Sequence, residues 1–123
     1  MTLNITRFFQ AQQAIKVHHW ITIDYSLHVL LDDFLKDYTS LVDDIVENFL
    51  SDGDNSLEIN DVKSDWEGAY KHLHVLLQLV SLSFFEVNEN IDKMPKGMRT
   101  IMDEARKFED KYEYLFRKFN YGE

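Results

Sequence analysis

The first half of this sequence contains two pairs of side chains that can bind metal, and the two members of each pair are four residues apart. His28 and Asp32 form one pair, and Asp43 and Glu47 form the other. Residues four apart lie on the same face of an α-helix, so the two members of each pair are predicted to lie together. A further histidine, His19, lies upstream. Imidazole nitrogens and carboxylate oxygens together make a ligand set that Fe(II), Mn or Zn accepts.

The spacing of apolar residues predicts four helices that would carry these pairs. They cover residues 3–19, 26–50, 64–91 and 98–119. Ser64 and Glu67 form a capping box at the start of the third helix, and Pro95 marks the break before the fourth. Residues 57–63 are predicted to be a connector with room for one short helical turn. The clearest apolar stripe is on the second helix: Leu27, Leu30, Leu31, Phe34, Tyr38, Leu41, Val42, Ile45 and Phe49.

The lengths of the links between these helices predict how they are connected. The first two helices are joined by a short link, as are the last two, and a longer connector joins the two hairpins. This is the pattern of an all-α four-helix bundle with one crossover connection. A chain of 123 residues fits one compact domain over residues 1–123.

Composition narrows the classes of function. Lys and Arg total 13 against 22 Asp and Glu, and the net charge of −9 disfavours nucleic acid and anionic membranes as partners. The absence of cysteine excludes disulfides, thiolate zinc sites and cysteine nucleophiles, and it suits a cytoplasmic protein. No apolar run approaches the ~18 residues of a membrane span.

The two pairs on the second helix cannot bind one ion within one straight helix. His28 and Asp43 are separated by roughly 22 Å at about 1.5 Å per residue, although both pairs face broadly the same side. A second copy of the helix, antiparallel and crossing near Asp37 and Tyr38, would place His28 and Asp32 opposite the other pair. The spacing therefore predicts a two-fold dimer with two identical inter-subunit sites. Each site would combine the following ligands: His19, His28 and Asp32 from one chain, Asp43 and Glu47 from the other.

These residues resemble the ferroxidase signature of the Dps family of mini-ferritins (DNA-binding proteins from starved cells). That signature has a His before a Trp on the first helix, then His-x3-Asp-x10-Asp-x3-Glu on the second. Here it reads His19-Trp20, then the run from His28 to Glu47 with every spacing kept. The resemblance implies a ferritin-like bundle that binds iron across a two-fold interface, assembles into a hollow dodecamer, oxidises Fe(II) and stores the mineral. Trp20 would then support the site from beside the metal.

The leading hypothesis is thus a Dps-like iron-binding protein that oxidises Fe(II) with peroxide or O2 and sequesters the iron. The iron centre could be mononuclear or di-iron, with Mn or Zn as alternatives, and no catalytic residue beyond the metal ligands is expected. The alternative is a non-catalytic ferritin-like structural or adaptor protein, viral or phage-borne, with a vestigial or structural metal site. In that case the polar residues of the second helix are a solvated stripe on an acidic helix.

The remaining histidines are predicted to have structural or surface roles. His18 neighbours His19, but the two are about 100° apart on a helix, so only one faces the site. His72 and His74 are two residues apart and lie on different faces of the third helix. Trp20 itself is expected to be a core or interface aromatic.

Overall fold

The protein is described by a computed structural model that covers residues 1–62 and 66–119. Helices dominate it, so the all-α prediction is confirmed apart from two strands of three residues each. A short 3-10 turn over Ile91–Lys93 precedes the last helix. The elements in chain order are β1 (Thr2–Asn4), α1 (Thr6–Ile21), α2 (Tyr25–Leu50), β2 (Ser56–Glu58), α3 (Glu67–Lys71), α4 (Leu73–Glu89) and α5 (Met98–Phe116).

The longest helix, α2, carries the stripe that builds the core. Asp24 caps its start, where the carboxylate accepts a hydrogen bond from the Leu27 amide at 3.2 Å. The buried residues of α2 recur every three or four positions, as the apolar spacing predicts: Leu27, Leu31, Phe34, Tyr38, Val42, Ile45 and Phe49. Leu30 and Leu41 are partly buried at the margins of this stripe.

The four long helices contact one another in the cyclic order α1, α2, α5, α4. The α1 and α2 helices are joined by three residues and run antiparallel. The rings of Phe8 and Phe84 lie 6.3 Å apart, which brings the start of α1 to the end of α4. The rings of Phe34 and Phe116 lie 5.1 Å apart, which brings the first half of α2 to the end of α5. Both α4 and α2 are therefore antiparallel to α1, and they run parallel to each other on opposite corners of the bundle.

The connection from α2 to α4 must return along the bundle, and it does so beside α1. Its first half contains β2, which pairs in parallel with β1, the strand just before α1. The Asn60 amide then donates to the Thr6 hydroxyl at 2.8 Å. Further along, the Ala69 carbonyl of α3 accepts from the His18 ring at the end of α1, at 2.9 Å. The crossover is thus fastened to α1 at both ends.

The structure corrects the prediction for both partners of the strand pair. The apolar spacing predicts that Leu3 belongs to the first helix, and that residues 57–63 are a connector with room for one short helical turn. Instead, Leu3 is buried in β1, directly opposite Leu57 in β2. The first helix begins only at Thr6, whose amide donates to the Asn4 side chain at 3.0 Å.

The third predicted helix is also corrected, because it is broken at His72. This residue has extended backbone angles (φ −126°, ψ 119°) that separate α3 from α4. In a continuous helix the Ala69 carbonyl would accept from the Leu73 amide. The break frees that carbonyl for the His18 ring. The predicted cap at Ser64 lies outside the described residues, and the last helix ends at Phe116 rather than at Phe119.

Candidate metal site

His19 and His28 meet where α1 turns into α2. His19 lies in the last turn of α1 and His28 in the first turn of α2. Their rings stack with centroids 3.8 Å apart and planes 21° from parallel. Both side chains are half-buried. The short link between the helices, capped by Asp24, therefore brings together two histidines that are nine residues apart in sequence.

Each of the two rings is oriented by the backbone of the other. His19 Nδ1 lies 2.8 Å from the His28 carbonyl oxygen, and His28 Nδ1 lies 2.8 Å from the His19 carbonyl oxygen. A carbonyl oxygen can only accept, so Nδ1 of each neutral ring must carry the proton. This tautomer leaves the lone pair on Nε2, the arrangement that metal-binding histidines adopt when their other nitrogen donates to a carbonyl.

The stacking limits how the two rings could bind metal. The lone pair of Nε2 lies in the plane of its ring. Two nearly parallel planes stacked 3.8 Å apart do not meet within the metal–nitrogen bond length of about 2.1 Å. In this conformation the rings therefore fit two neighbouring ions, one for each imidazole, better than a single shared ion.

Asp32 lies one helical turn beyond His28 on α2. The Lys36 ammonium, 3.0 Å from its Oδ2 atom, holds the pKa of the Asp32 carboxyl below its usual value, with smaller contributions from His19 and His28. The carboxylate is partly exposed and ionised at neutral pH. The structure thus brings His19 and His28 into contact and places Asp32 close enough for both histidines to affect its pKa.

The other two predicted ligands lie further along the same helix. Asp43 and Glu47 are exposed and border a groove of about 250 Å³ between α1 and α2, beside Phe9 and Gln12. They do not meet the histidines within one chain. Across residues 1–62 and 66–119, no group of three or more His, Asp or Glu side chains is arranged to hold a metal ion.

Two aromatic residues flank the histidine pair. Trp20 is 65% exposed, so it is not a core residue, and the Lys16 ammonium lies 5.5 Å from its ring centroid. Its role beside the metal stays a prediction. Tyr25, which the sequence interpretation missed, stacks on His28 with ring centroids 6.4 Å apart. Its position three residues before His28 on a helix was the available signal.

The other three histidines have different contacts. His18 is buried, and its Nδ1 donates to the Ala69 carbonyl. Burial lowers its pKa, with a smaller lowering from nearby His72. His72 and His74 have ring centroids 5.9 Å apart. The prediction of a packing role is confirmed for His18.

Comparisons with protein-family models, curated proteins and solved structures find no match for this chain. The resemblance to the Dps family therefore depends on the residues from His19 to Glu47 alone. In the two described stretches of the chain, no helix combines the length and apolar character needed to cross a membrane.

Proposed function

We propose that this chain is a cytoplasmic, ferritin-like, Dps-like protein that binds Fe(II) between two subunits, oxidises it with peroxide or O2, and sequesters the product. The observation that carries the proposal is the reciprocal hydrogen bonding of His19 and His28. It fixes both rings in the tautomer that ligates metal, next to an ionised Asp32.

The connectivity of the helices supports the ferritin-like assignment. A bundle with only short loops places consecutive helices side by side, so its second and third long helices would be neighbours. Here α2 and α4 run parallel on opposite corners, and the chain between them follows α1. A parallel pair of this kind requires one long crossover, which is the ferritin-like arrangement.

The exposed face of α2 supports an antiparallel two-fold contact. His28 and Glu47 lie at equal distances along α2 from the point midway between Asp37 and Tyr38, and so do Asp32 and Asp43. A two-fold axis at that point would therefore join both ligand pairs across the interface.

Apolar side chains on α2 follow the same symmetry. Tyr25 and Leu50 are equidistant from that midpoint, and so are Val29 and Val46. Tyr25, Val29 and Leu50 are 79%, 44% and 41% exposed, although each is large and apolar. A second copy of α2 would cover each of them with an apolar partner and remove that surface from water.

At this site Fe(II) is the substrate. The Nε2 atoms of His19 and His28 would each hold one ion. Asp32, with Asp43 and Glu47 of the partner subunit, would balance the charge. Peroxide takes one electron from each of two Fe(II) ions and two protons, and it leaves as two waters. In a dodecameric cage of such acidic chains, further carboxylates would hold the oxidised iron.

An anaerobic Fe(II) titration, followed by one equivalent of peroxide per two irons, tests the proposal. We expect saturable binding near two irons per site and rapid formation of Fe(III). The variant Asp32→Asn/Asp43→Asn should oxidise iron more slowly by about tenfold or more, since even the outer partners of metal ligands are worth about 10–100-fold. The control Asp33→Asn/Asp44→Asn makes the same charge change on the same helix. Equal rates in the two variants, or no saturable binding by the unmodified protein, would exclude the proposal.

The rival function is a structural or adaptor protein, viral or phage-borne, in which the ligand residues no longer bind metal. The observation that favours it is the ion pair of Asp32 with Lys36, which neutralises one ligand without any metal. The titration separates the two functions. A protein that assembles normally and binds no iron is the structural one.

A further inference from the structure

Among the described residues, Lys36 is the one cationic side chain in contact with a predicted metal ligand. It has no role in the proposed oxidation of iron. Its ammonium lies 3.0 Å from Asp32, four residues earlier on α2. The contact raises the pKa of Lys36 while it lowers the pKa of Asp32. Both side chains remain accessible to solvent, with relative exposures of 71% for Lys36 and 44% for Asp32.

Other ion pairs in the described chain do not involve a predicted ligand. Lys107 contacts Glu104 at 3.5 Å on α5, and Arg117 contacts Glu113 at 2.9 Å on the same helix. Both are ordinary surface pairs between residues of one helix. The pair on α2 is an exposed pair of the same kind, and it differs only because Asp32 is a predicted metal ligand.

We propose that Lys36 is a tethered counter-cation of Asp32, which a metal ion must displace and which therefore sets the metal concentration at which the site fills. The inference rests on the proposed function, because it concerns the same site. While Lys36 occupies Asp32, the carboxylate is neutralised and the site is closed to weakly held cations. A metal that gains binding energy from the Nε2 atoms of His19 and His28 can displace the ammonium. Lys36 keeps its proton and moves into solvent, so this exchange releases no proton from the lysine.

The direction of the effect distinguishes this role from a structural one. Loss of a residue that merely supports the site would weaken metal binding or leave it unchanged. Loss of a competitor should tighten it. Two small energies limit how much the metal affinity can rise: that of an exposed ion pair, and that of the screened repulsion between an ammonium and a divalent ion. Together they correspond to about a threefold to tenfold change in the Kd for metal at low salt.

The test is calorimetric titration of the full chain with Co2+, an air-stable divalent probe, at low and high salt. Lys36→Gln should bind Co2+ about threefold to tenfold more tightly at low salt, and the gain should shrink as salt screens the pair. Lys36→Arg retains the cation and should bind within about twofold of the unmodified protein. The control Lys107→Gln removes the same charge at a distant, similarly exposed position and should also leave Kd unchanged.

A second measurement does not require metal. In the metal-free protein, NMR titration of the Asp32 carboxyl should show its pKa rising in Lys36→Gln but not in Lys107→Gln. If Lys36→Gln binds Co2+ no more tightly than the unmodified protein, the inference is wrong and the proposed function is unaffected. If neither protein binds Co2+, the proposed function fails together with the inference.

Discussion

Three histidines close together in sequence and structure use the same hydrogen bond for different purposes. His18, His19 and His28 each donate from Nδ1 to a backbone carbonyl. His18 is buried, and its bond fastens the crossover to α1. His19 and His28 are half-buried, and their bonds orient two rings whose Nε2 atoms make no hydrogen bond within the described residues. Burial, rather than residue type, separates the structural histidine from the candidate ligands.

The lowered pKa of His18 predicts a pH-dependent contribution to stability. Its neutral form is favoured in the folded state, whereas the unfolded chain binds a proton near pH 6.5. The contribution of His18 is therefore fully present above about pH 6.5 and is lost as the pH falls towards the folded-state pKa. His18→Asn keeps an N–H donor near the Nδ1 position but does not titrate.

We expect His18→Asn to cost about 1–2 kcal/mol at pH 7.5, because the smaller side chain leaves a gap. The difference from the unmodified protein should narrow at pH 5.5. Urea unfolding at both pH values measures it. A difference that widens in acid would contradict the assignment of His18 as a buried neutral imidazole.

At the residue level, the i,i+4 rule predicted the positions of the ligand pairs but not all of their neighbours. It paired His28 with Asp32, and the same rule applied once more would have found Lys36. The stacking of His19 on His28 depends on how α1 turns into α2, which the spacing within one helix does not define. The meeting of these residues with Asp43 and Glu47 requires a second chain, so it stays a prediction.

Among the elements, helices were predictable where apolar residues repeat and caps are local. The apolar stripe of α2 was predictable for this reason. The β1–β2 pair was not predictable, because Leu3 fits a helical spacing and its strand partner lies 54 residues away. The break at His72 could not be predicted from the sequence either, because no Gly or Pro lies at that position. It accompanies a contact that is distant in sequence, the hydrogen bond from the His18 ring to the Ala69 carbonyl.

Gly97 provides a prediction at the start of α5. It has a positive φ of 96°, and a Cβ there would lie 3.1 Å from Asn48 Nδ2 on α2. Both the left-handed backbone and the close approach to α2 disfavour any side chain. Gly97→Ala should therefore destabilise the protein by about 1–2 kcal/mol.

The matched control for this change is Gly53→Ala. A Cβ at Gly53 meets nothing within 4 Å, and its φ is not positive. This variant should be neutral or slightly stabilising. Thermal unfolding of both variants measures the contrast, and equal melting temperatures would contradict it.

For the whole molecule, the proposed dimer makes the exposed face of α2 the decisive surface. Val29 lies on that face and is 44% exposed, whereas Leu82 on α4 is 38% exposed and lies away from it. Val29→Asp should shift the protein to monomer, because it places a charge opposite Val46 of the partner subunit in an apolar contact. Leu82→Asp makes the same kind of change elsewhere and should leave the assembly intact.

Light scattering during size-exclusion chromatography measures the mass of each variant. A Val29→Asp protein with the mass of the unmodified protein would place the subunit contact on another face. Iron oxidation should fall together with the mass, since each proposed site takes ligands from two chains.

The strand pair that fastens the crossover also constrains how the chain is made. β1 leaves the ribosome before β2, which follows 54 residues later, or about 3–10 s at ordinary rates of translation. Helices form within far shorter times. α1 is complete at Ile21, so it exists for most of this interval with Leu3 unpaired, whereas a complete α1–α2 hairpin waits only for the residues from Leu50 to Glu58. During translation, a chain that still ends within α2 therefore exposes this apolar strand, and we expect it to be the species that gains most from a chaperone.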